Sequence, residues 1–418
     1  MNSYNSHIAN PAASSTPFTR EMSLLDIGYA SSGSRKRDKG QVIIQSVIEG
    51  QGVFAERELR AAIEHVVAAT PACRLVIRGR WGFKRWQADG PLPSCRTIHR
   101  AWDGQHGKHL DFLDAPLDLF CGPVVDIIQV VSTNTYLVFR IHHAVMDGVA
   151  AMAFMQNFFR ALRGEALENH HSVLTTETLK QENQVAQKPA PLLEALNPLG
   201  KPEAVRLPRQ RERLWHRISI RGNDFLALPK VMVILAQAAR RKSPGLVRMR
   251  IPVSLRRHTS DEKTSANLTG MILLDIEEQD TIRTLVKKIN QKLAEHKELA
   301  YQNPAIAALL VKWVPFRLLQ AIGRFIINVN FKRRLYYFSG TISSLGRIDL
   351  ADYSTDGFAA QSVFGVPILP YTTPLFVSIC CSNRSTEITI AVSKHLIADN
   401  NFTDLCNELR ERLNEEWR

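Results

Sequence analysis

The sequence predicts an α+β protein built as two subdomains. Three observations predict it. Each half alternates strand-like runs with amphipathic helices, the strand runs fall into hairpins, and a polar, proline-bearing stretch at 165–213 separates the halves. With 418 residues, the chain exceeds one ordinary core and suits two domains of common size. Its 45% hydrophobic and 22% charged content can fill a large core.

Residues 1–20 are polar, lack the apolar run of a signal peptide, and read as a flexible lead-in. The first subdomain is expected over 21–164. "QVIIQSVIE" (41–49) reads as a strand, and "FAERELRAAIEHVVAATP" as a helix with Leu59, Ile63, Val66 and Val67 at helical spacing, closed by Pro71. "VVDIIQVV" (124–131) and "YLVFRI" (136–141) are strand runs joined by the turn "STNT". A helix from Val149 to Arg163 follows and ends at Gly164.

Residues 165–213 are weakly periodic apart from a short "LLEAL", and are expected to be the linker. The second subdomain is expected over 214–418. It opens with "LWHRISI", then a helix on which Val231, Leu235 and Ala238 share a face. Strands "LVRMRIPVSL" and "LTGMILLDI" follow, then the amphipathic "TIRTLVKKINQKLAEHK". "LFVSICC" and "TEITIAVS" flank the turn "SNRS" as a hairpin. A last helix aligns Phe402, Leu405, Leu409 and Leu413.

Six scattered cysteines with no CxxC pair argue against a disulfide framework or a zinc site and fit a reducing, cytoplasmic compartment. The longest apolar stretch, Ala305 to Val329, is broken by Lys312, Pro315, Arg317 and Arg324, so no transmembrane segment is expected. A net charge of +13 gathers at "SRKRDK", "ARRKSPGLVRMR" and "FKRRL". Solvated faces explain any one cluster. Without a nucleic-acid motif, and with 8% aromatics not interleaved, nucleic acid is excluded as the expected partner. A phosphate-bearing ligand, an acidic partner protein or contact with an anionic membrane surface stays open.

The chemistry concentrates in "FRIHHAVMDGVAAMAF". At a strand end, His142 and His143 point to opposite faces, so one can face a cleft while the other enters the body of the domain. Adjacent histidines so placed cannot share one metal ion, and no metal is expected. Asp147 falls at a helix start, where capping and the helix dipole favour a carboxylate, and Gly148 permits close backbone approach. An imidazole on a rigid strand end, braced by a carboxylate four residues on, is the layout of a positioned general base.

The pattern His-His-x-x-x-Asp-Gly resembles the motif of the condensation-domain superfamily, which holds CoA-dependent acyltransferases, nonribosomal-peptide condensation domains, polyketide-associated acyltransferases and wax ester synthases. Further segments are similar in family order from about residue 55 onward. Pro71 and Arg74 match a Pro-x-Leu-Arg segment, with Cys73 in place of Leu. Pro116, Asp118, Leu119, Gly122 and Pro123 match the entry to the strand before the motif. Pro252, Val253 and Arg256 match a Pro-Val-x-x-Arg strand, followed by Asn267 and Gly270. Ser343 and Gly346 match a Ser-Asn-x-Gly strand in which Ser344 replaces Asn.

The resemblance implies two chloramphenicol-acetyltransferase-like subdomains set in a V around a central channel. It implies that His143 takes a proton from a hydroxyl or amine acceptor attacking an acyl thioester, with no acyl-enzyme. His142, Asp147, Gly148 and Arg256 would support the site, Arg256 pairing with Asp147 across the interface and Arg257 held in reserve. Asn267, Ser343 and Ser344 are candidates for lining the channel or the oxyanion position, beside backbone N–H groups near Gly148. No permanent cofactor is implied. CoA or phosphopantetheine enters as part of the donor, borne by acyl-CoA or an acidic acyl carrier protein, and a monomer is expected. Three other readings stand beside acyl transfer: a stand-alone condensation enzyme of a nonribosomal peptide or polyketide pathway, a silent carrier-protein docking module, and a lipid enzyme resting on a membrane through residues 305–335. Epimerisation would need a further catalytic Glu that the sequence does not place.

Overall fold

The computed structural model describes residues 17–36, 40–79, 82–107, 110–183, 213–242, 244–261, 263–300, 311–333, 335–370, 373–394, 396–397 and 399–415. The first half runs β1 (Thr19–Glu21), α1 (Leu24–Ser32), β2 (Ile43–Gln51), α2 (Glu56–Ala69), β3 (Val76–Arg78), β4 (Arg85–Gln87), β5 (Ser94–His99), α3 (Asp111–Asp114), β6 (Val125–Val131), β7 (Thr135–His142) and α4 (Gly148–Leu162). After α5 (Thr176–Glu182), the second half runs β8 (Arg213–Arg221), α6 (Ala227–Lys242), β9 (Val247–Ser254), β10 (Thr269–Ile276), α7 (Ile282–Ala294), α8 (Lys297–Ala300) and α9 (Phe316–Lys332). It ends with β11 (Gly340–Ile348), β12 (Ala359–Gly365), β13 (Leu375–Ser382), β14 (Ser385–Ser393) and α10 (Asp399–Glu415).

Two large sheets organise the halves. The first has the order β12-β2-β7-β6-β5, antiparallel except for the parallel β5–β6 pair. The second has the order β10-β9-β11-β13-β14-β8, with β11 parallel to both neighbours. Leu59, Ile63 and Val66 of α2 and Phe154, Phe158 and Phe159 of α4 pack onto the first sheet in one core. Val231 and Leu235 of α6 and Leu405, Leu409 and Leu413 of α10 pack with the second sheet in another. Helical spacing placed these faces correctly because burial selects one stripe of each helix.

Three boundaries differ from the sequence reading. Thr19 and Arg20, inside the expected lead-in, pair with β4 together with Glu21, and Arg20 is buried. The expected linker begins with packed chain: His170 N–H bonds the Ala69 carbonyl at 2.8 Å, and Leu179 of α5 is buried against Leu255 and Leu268. Leu174 and Leu179 are the apolar residues that dock this polar stretch, with hydrogen bonds beside them. The "LLEAL" segment lies outside the described residues. Third, β12 belongs by sequence to the second half but extends the first sheet, pairing Val363 with Ile48 and Phe364 with Val47.

This exchange ties the halves together. Arg217 of β8 donates to Glu387 at 2.7 Å, to Glu49 of the other sheet at 2.7 Å and to Ser362 of β12 at 2.7 Å. Trp215, Phe364, Tyr136 and Val47 form an apolar cluster spanning both sheets. The two halves thus hold a fixed relation, on which the site described next depends.

Candidate active site

Strand β7 ends at His142, and the two histidines enter different surroundings as the strand period requires. His142 is fully buried. One ring nitrogen, Nδ1, accepts the Ala144 N–H at 3.2 Å, so Nε2 carries the proton and donates to the Gly33 carbonyl at 2.9 Å. Burial pushes its pKa down to about 4, the Gly33 carbonyl opposing, so the ring is neutral and its two nitrogens are committed.

His143 is half-buried, so part of the residue stays accessible. Its ring stacks on Tyr29 of α1, with centroids 4.0 Å apart and planes 15° from parallel. Nδ1 is buried without a hydrogen-bond partner. Burial holds the imidazole pKa below its usual value, opposed by nearby backbone carbonyls, the Asp147 carboxylate and the Asn267 amide. Tyr29 stays a neutral phenol, its pKa pushed up to about 12 by burial.

Asp147 caps α4 and locks the turn at the same time. Its Oδ1 accepts the Ala150 N–H at 2.9 Å and Arg256 Nη2 at 3.0 Å. Its Oδ2 accepts Arg256 Nη1 at 2.8 Å, the Leu268 N–H at 2.8 Å and the Thr269 hydroxyl at 3.3 Å. Burial alone would raise this carboxyl, but the paired guanidinium and these donors hold it below the carboxylate range. Arg256 sits in the short turn after β9 and also donates to the Thr264 and Ala266 carbonyls, each at 3.0 Å, so both ends of the pair are satisfied. Arg257, the reserve, pairs instead with Glu298.

A second brace comes from β1 and α1. Ser23 caps α1 and Asp26 closes the capping box by accepting the Ser23 N–H, and Asp26 also accepts Trp86 Nε1 at 2.9 Å. Asn267 Nδ2 donates to Asp26 Oδ1 at 2.8 Å, to the His143 carbonyl at 2.9 Å and to the Ala144 carbonyl at 3.2 Å. Its Oδ1 is buried without a hydrogen-bond partner, as is His143 Nδ1. Asn267 therefore holds the histidine turn from behind, and its N–H groups are already spent. Arg20 is buried and donates to the Val145 carbonyl at 3.0 Å. Burial lowers its pKa, with Asp26 and Asp147 pulling the other way.

The remaining candidates lie along β11. Ser343 is half-buried, Ser344 is exposed, and neither donates to the histidine turn. Between Ser344 and Arg347 the pairing with β13 slips. There the Leu345 side chain comes within 3.2 Å of where a Cβ on Gly148 would stand. Gly148 thus lets β11 approach the start of α4. Among the described residues, His258, His296 and Glu298 could each turn one ligand atom toward a metal, but Glu298 already accepts from Arg257 and His258.

No protein-family model and no curated protein sequence matches the chain. Solved structures do. It superposes on the starter condensation domain of rhizomide synthetase, a double mutant in complex with C8-CoA, with a TM-score of 0.65 at 14% identity over 94% of each chain. The first condensation domain of the calcium-dependent antibiotic synthetase, in complex with a substrate analogue, gives 0.65 at 13% identity over 96% of each. The condensation domain of the Monacolin K polyketide synthase gives 0.61 at 11%, over 96% of this chain and 98% of that one.

The chain has the condensation-domain fold.

Within this fold, the site joins residues far apart in sequence: the histidine turn from the first half, the Arg256–Asn267 segment from the second, and α1 from the N-terminal region. Sequence reading missed Tyr29, Asp26 and Arg20. The helix signal for α1 was present, Ser23 followed three residues later by Asp26, but it falls at the edge of a stretch read as lead-in, and the helix is only nine residues long.

Proposed function

We propose that the protein is an acyltransferase that moves an acyl group from a thioester to a hydroxyl or amine, with His143 as the general base. The observation that carries this reading is the asymmetry of the two histidines. His142 has both nitrogens bonded within the protein, whereas His143 is pinned on one face by Tyr29, has a ring nitrogen without a hydrogen-bond partner and a pKa held down by burial, and stays partly accessible. That is what a base requires: a proton-free nitrogen in a fixed place.

In the proposed reaction, His143 removes the acceptor's proton as its oxygen or nitrogen attacks the thioester carbonyl. The tetrahedral intermediate then collapses, the C–S bond breaks, and the imidazolium returns the proton to the thiolate. No acyl-enzyme forms, so most of the rate enhancement would come from holding two substrates in register, a term on the order of 7–11 kcal/mol at best. Asp147, Arg256 and Asn267 contribute by fixing the turn. Backbone N–H groups at the start of α4 are the candidate donors to the oxyanion.

A second reading, condensation with a carrier-bound acyl or peptidyl donor, uses the same chemistry. It is favoured by the coverage of 94% or more of each condensation domain above. Intact-mass detection of acyl transfer from a panel of acyl-CoAs and acyl-loaded carrier proteins, with wild type and His143→Ala, separates the two. Transfer from CoA donors that needs His143 supports a free-standing acyltransferase, and transfer from loaded carriers alone supports condensation. Transfer that proceeds undiminished in His143→Ala would sink the mechanism.

A further inference from the structure

Helix α9 carries its apolar residues on the outside. Of its 17 residues only Phe316 and Phe331 are buried. Leu318, Ile322, Phe325 and Ile326 recur at i, i+4, i+7 and i+8, the spacing of one helical face, and all are exposed, Phe325 by 71%. Trp313, 55% exposed, lies just before the helix start and meets the exposed Phe83 edge-on. A stripe this regular would ordinarily face a core.

The helix is nevertheless held firmly. Gln320 Nε2 donates to the Ser32 carbonyl of α1 at 3.2 Å, and Lys84 Nζ donates to the Lys312 and Val314 carbonyls, each at 2.9 Å, while lying over the Phe316 ring. The exposed ridge is therefore the outer side of an anchored element.

Charge identifies what covers it. From Leu299 to Ile348 the sequence has no Asp or Glu, yet it carries Lys312, Arg317, Arg324, Lys332, Arg333, Arg334 and Arg347. Arg317 and Arg324 each precede a ridge residue, about 100° round the helix. There their stems can lie along apolar surface with the charged heads outward. An exposed apolar helix face with a tryptophan just before its start and cations on its flanks, lacking any anion, matches a helix lying in a lipid interface. No helix of the described residues is long and apolar enough to cross a membrane.

We infer that α9, with Trp313 and Phe83, docks the protein onto an anionic lipid bilayer. The test is flotation of the full-length protein with vesicles of phosphatidylcholine alone or mixed with phosphatidylglycerol, at low and high salt. The wild type is expected to float with the mixed vesicles, less with the neutral ones, and to be released as salt rises. The double variant Ile322→Asp and Phe325→Asp should lose roughly tenfold or more of its bound fraction, since it places charge in the buried face. Its circular dichroism should remain native, because neither side chain packs in the core. A wild type that stays at the bottom of the gradient with mixed vesicles would overturn the inference. So would a folded double variant that floats as well as the wild type, or a wild-type dimer that this variant abolishes without any lipid binding.

Discussion

Asn267 reaches from the second half of the chain to the His143 carbonyl at 2.9 Å and to Asp26 Oδ1 at 2.8 Å. One amide thereby ties the histidine turn to helix α1, which carries Tyr29 against the imidazole. Its side chain also opposes the lowering of the His143 pKa by burial.

Asn267→Ala is therefore expected to do two separable things. Losing buried hydrogen bonds should cost about 1–3 kcal/mol of stability, because Asp26 and two carbonyls lose a donor. Removing the amide should also let the His143 pKa fall further, moving the acid limb of kcat/KM to lower pH. A pH–rate profile beside a denaturation curve checks both. An unmoved limb would mean that Asn267 acts on the backbone alone.

The Asp147–Arg256 pair predicts stability more than rate. Asp147→Ala leaves a buried guanidinium without its partner, a loss of about 3–5 kcal/mol. In a double-mutant cycle, Asp147→Ala with Arg256→Ala should cost clearly less than the two singles added. The pH sign follows from the depressed carboxyl. Its contribution is complete above the unfolded value of 3.8 and is lost as pH falls through the lower folded value, so the wild type gives up its advantage only in strong acid. Urea unfolding of wild type and variant at neutral pH, at about pH 5 and below pH 4 measures this. A gap that already narrows between neutral pH and about pH 5, well above the depressed value, would contradict the assignment.

Gly270 predicts a steric failure. A Cβ there would stand 2.2 Å from the Glu298 carbonyl oxygen and 2.7 Å from Leu255 Cδ2. Backbone cannot yield as a flexible side chain would, so Gly270→Ala is expected to lower stability by about 1–3 kcal/mol. Because Gly270 follows Thr269, whose hydroxyl reaches Asp147, activity should fall with it. A melting temperature equal to wild type would show that β10 and α8 can part.

Much of this arrangement was legible in the sequence, and the reasons are physical. Helices α2, α4 and α10 bury one regular stripe each, so spacing alone located them. Asp147 announced itself as a cap because a carboxylate before an apolar run has few other uses. Its partner Arg256 came only from family resemblance, since 109 residues separate the two. Local patterns do not encode which arginine crosses an interface. Strand β12 was missed for the same reason: it is defined by pairing with β2, more than 300 residues away in the chain, rather than by a pattern of its own. Tyr29 carries no local signal at all, and its role exists only once α1 lies against the histidine turn.

The last prediction concerns His142, whose neutrality is built into the fold. Its folded pKa lies near 4 against 6.5 for a free imidazole. The sign is that of a group depressed by folding: full stability above the unfolded value, progressive loss as pH drops from 6.5 toward 4, because the unfolded chain takes up the proton first. That loss is on the order of 3 kcal/mol for this residue. His142→Gln keeps an N–H for the Gly33 carbonyl but cannot titrate. The variant should be somewhat less stable than wild type at pH 7.5, since the ring's packing and its acceptance of the Ala144 N–H are lost. By pH 5 the difference between the two should narrow, as the wild type pays the protonation penalty and the variant does not. Urea unfolding at both values decides it. Parallel losses in the two proteins would assign the acid sensitivity to other buried groups, and would remove His142 as its source.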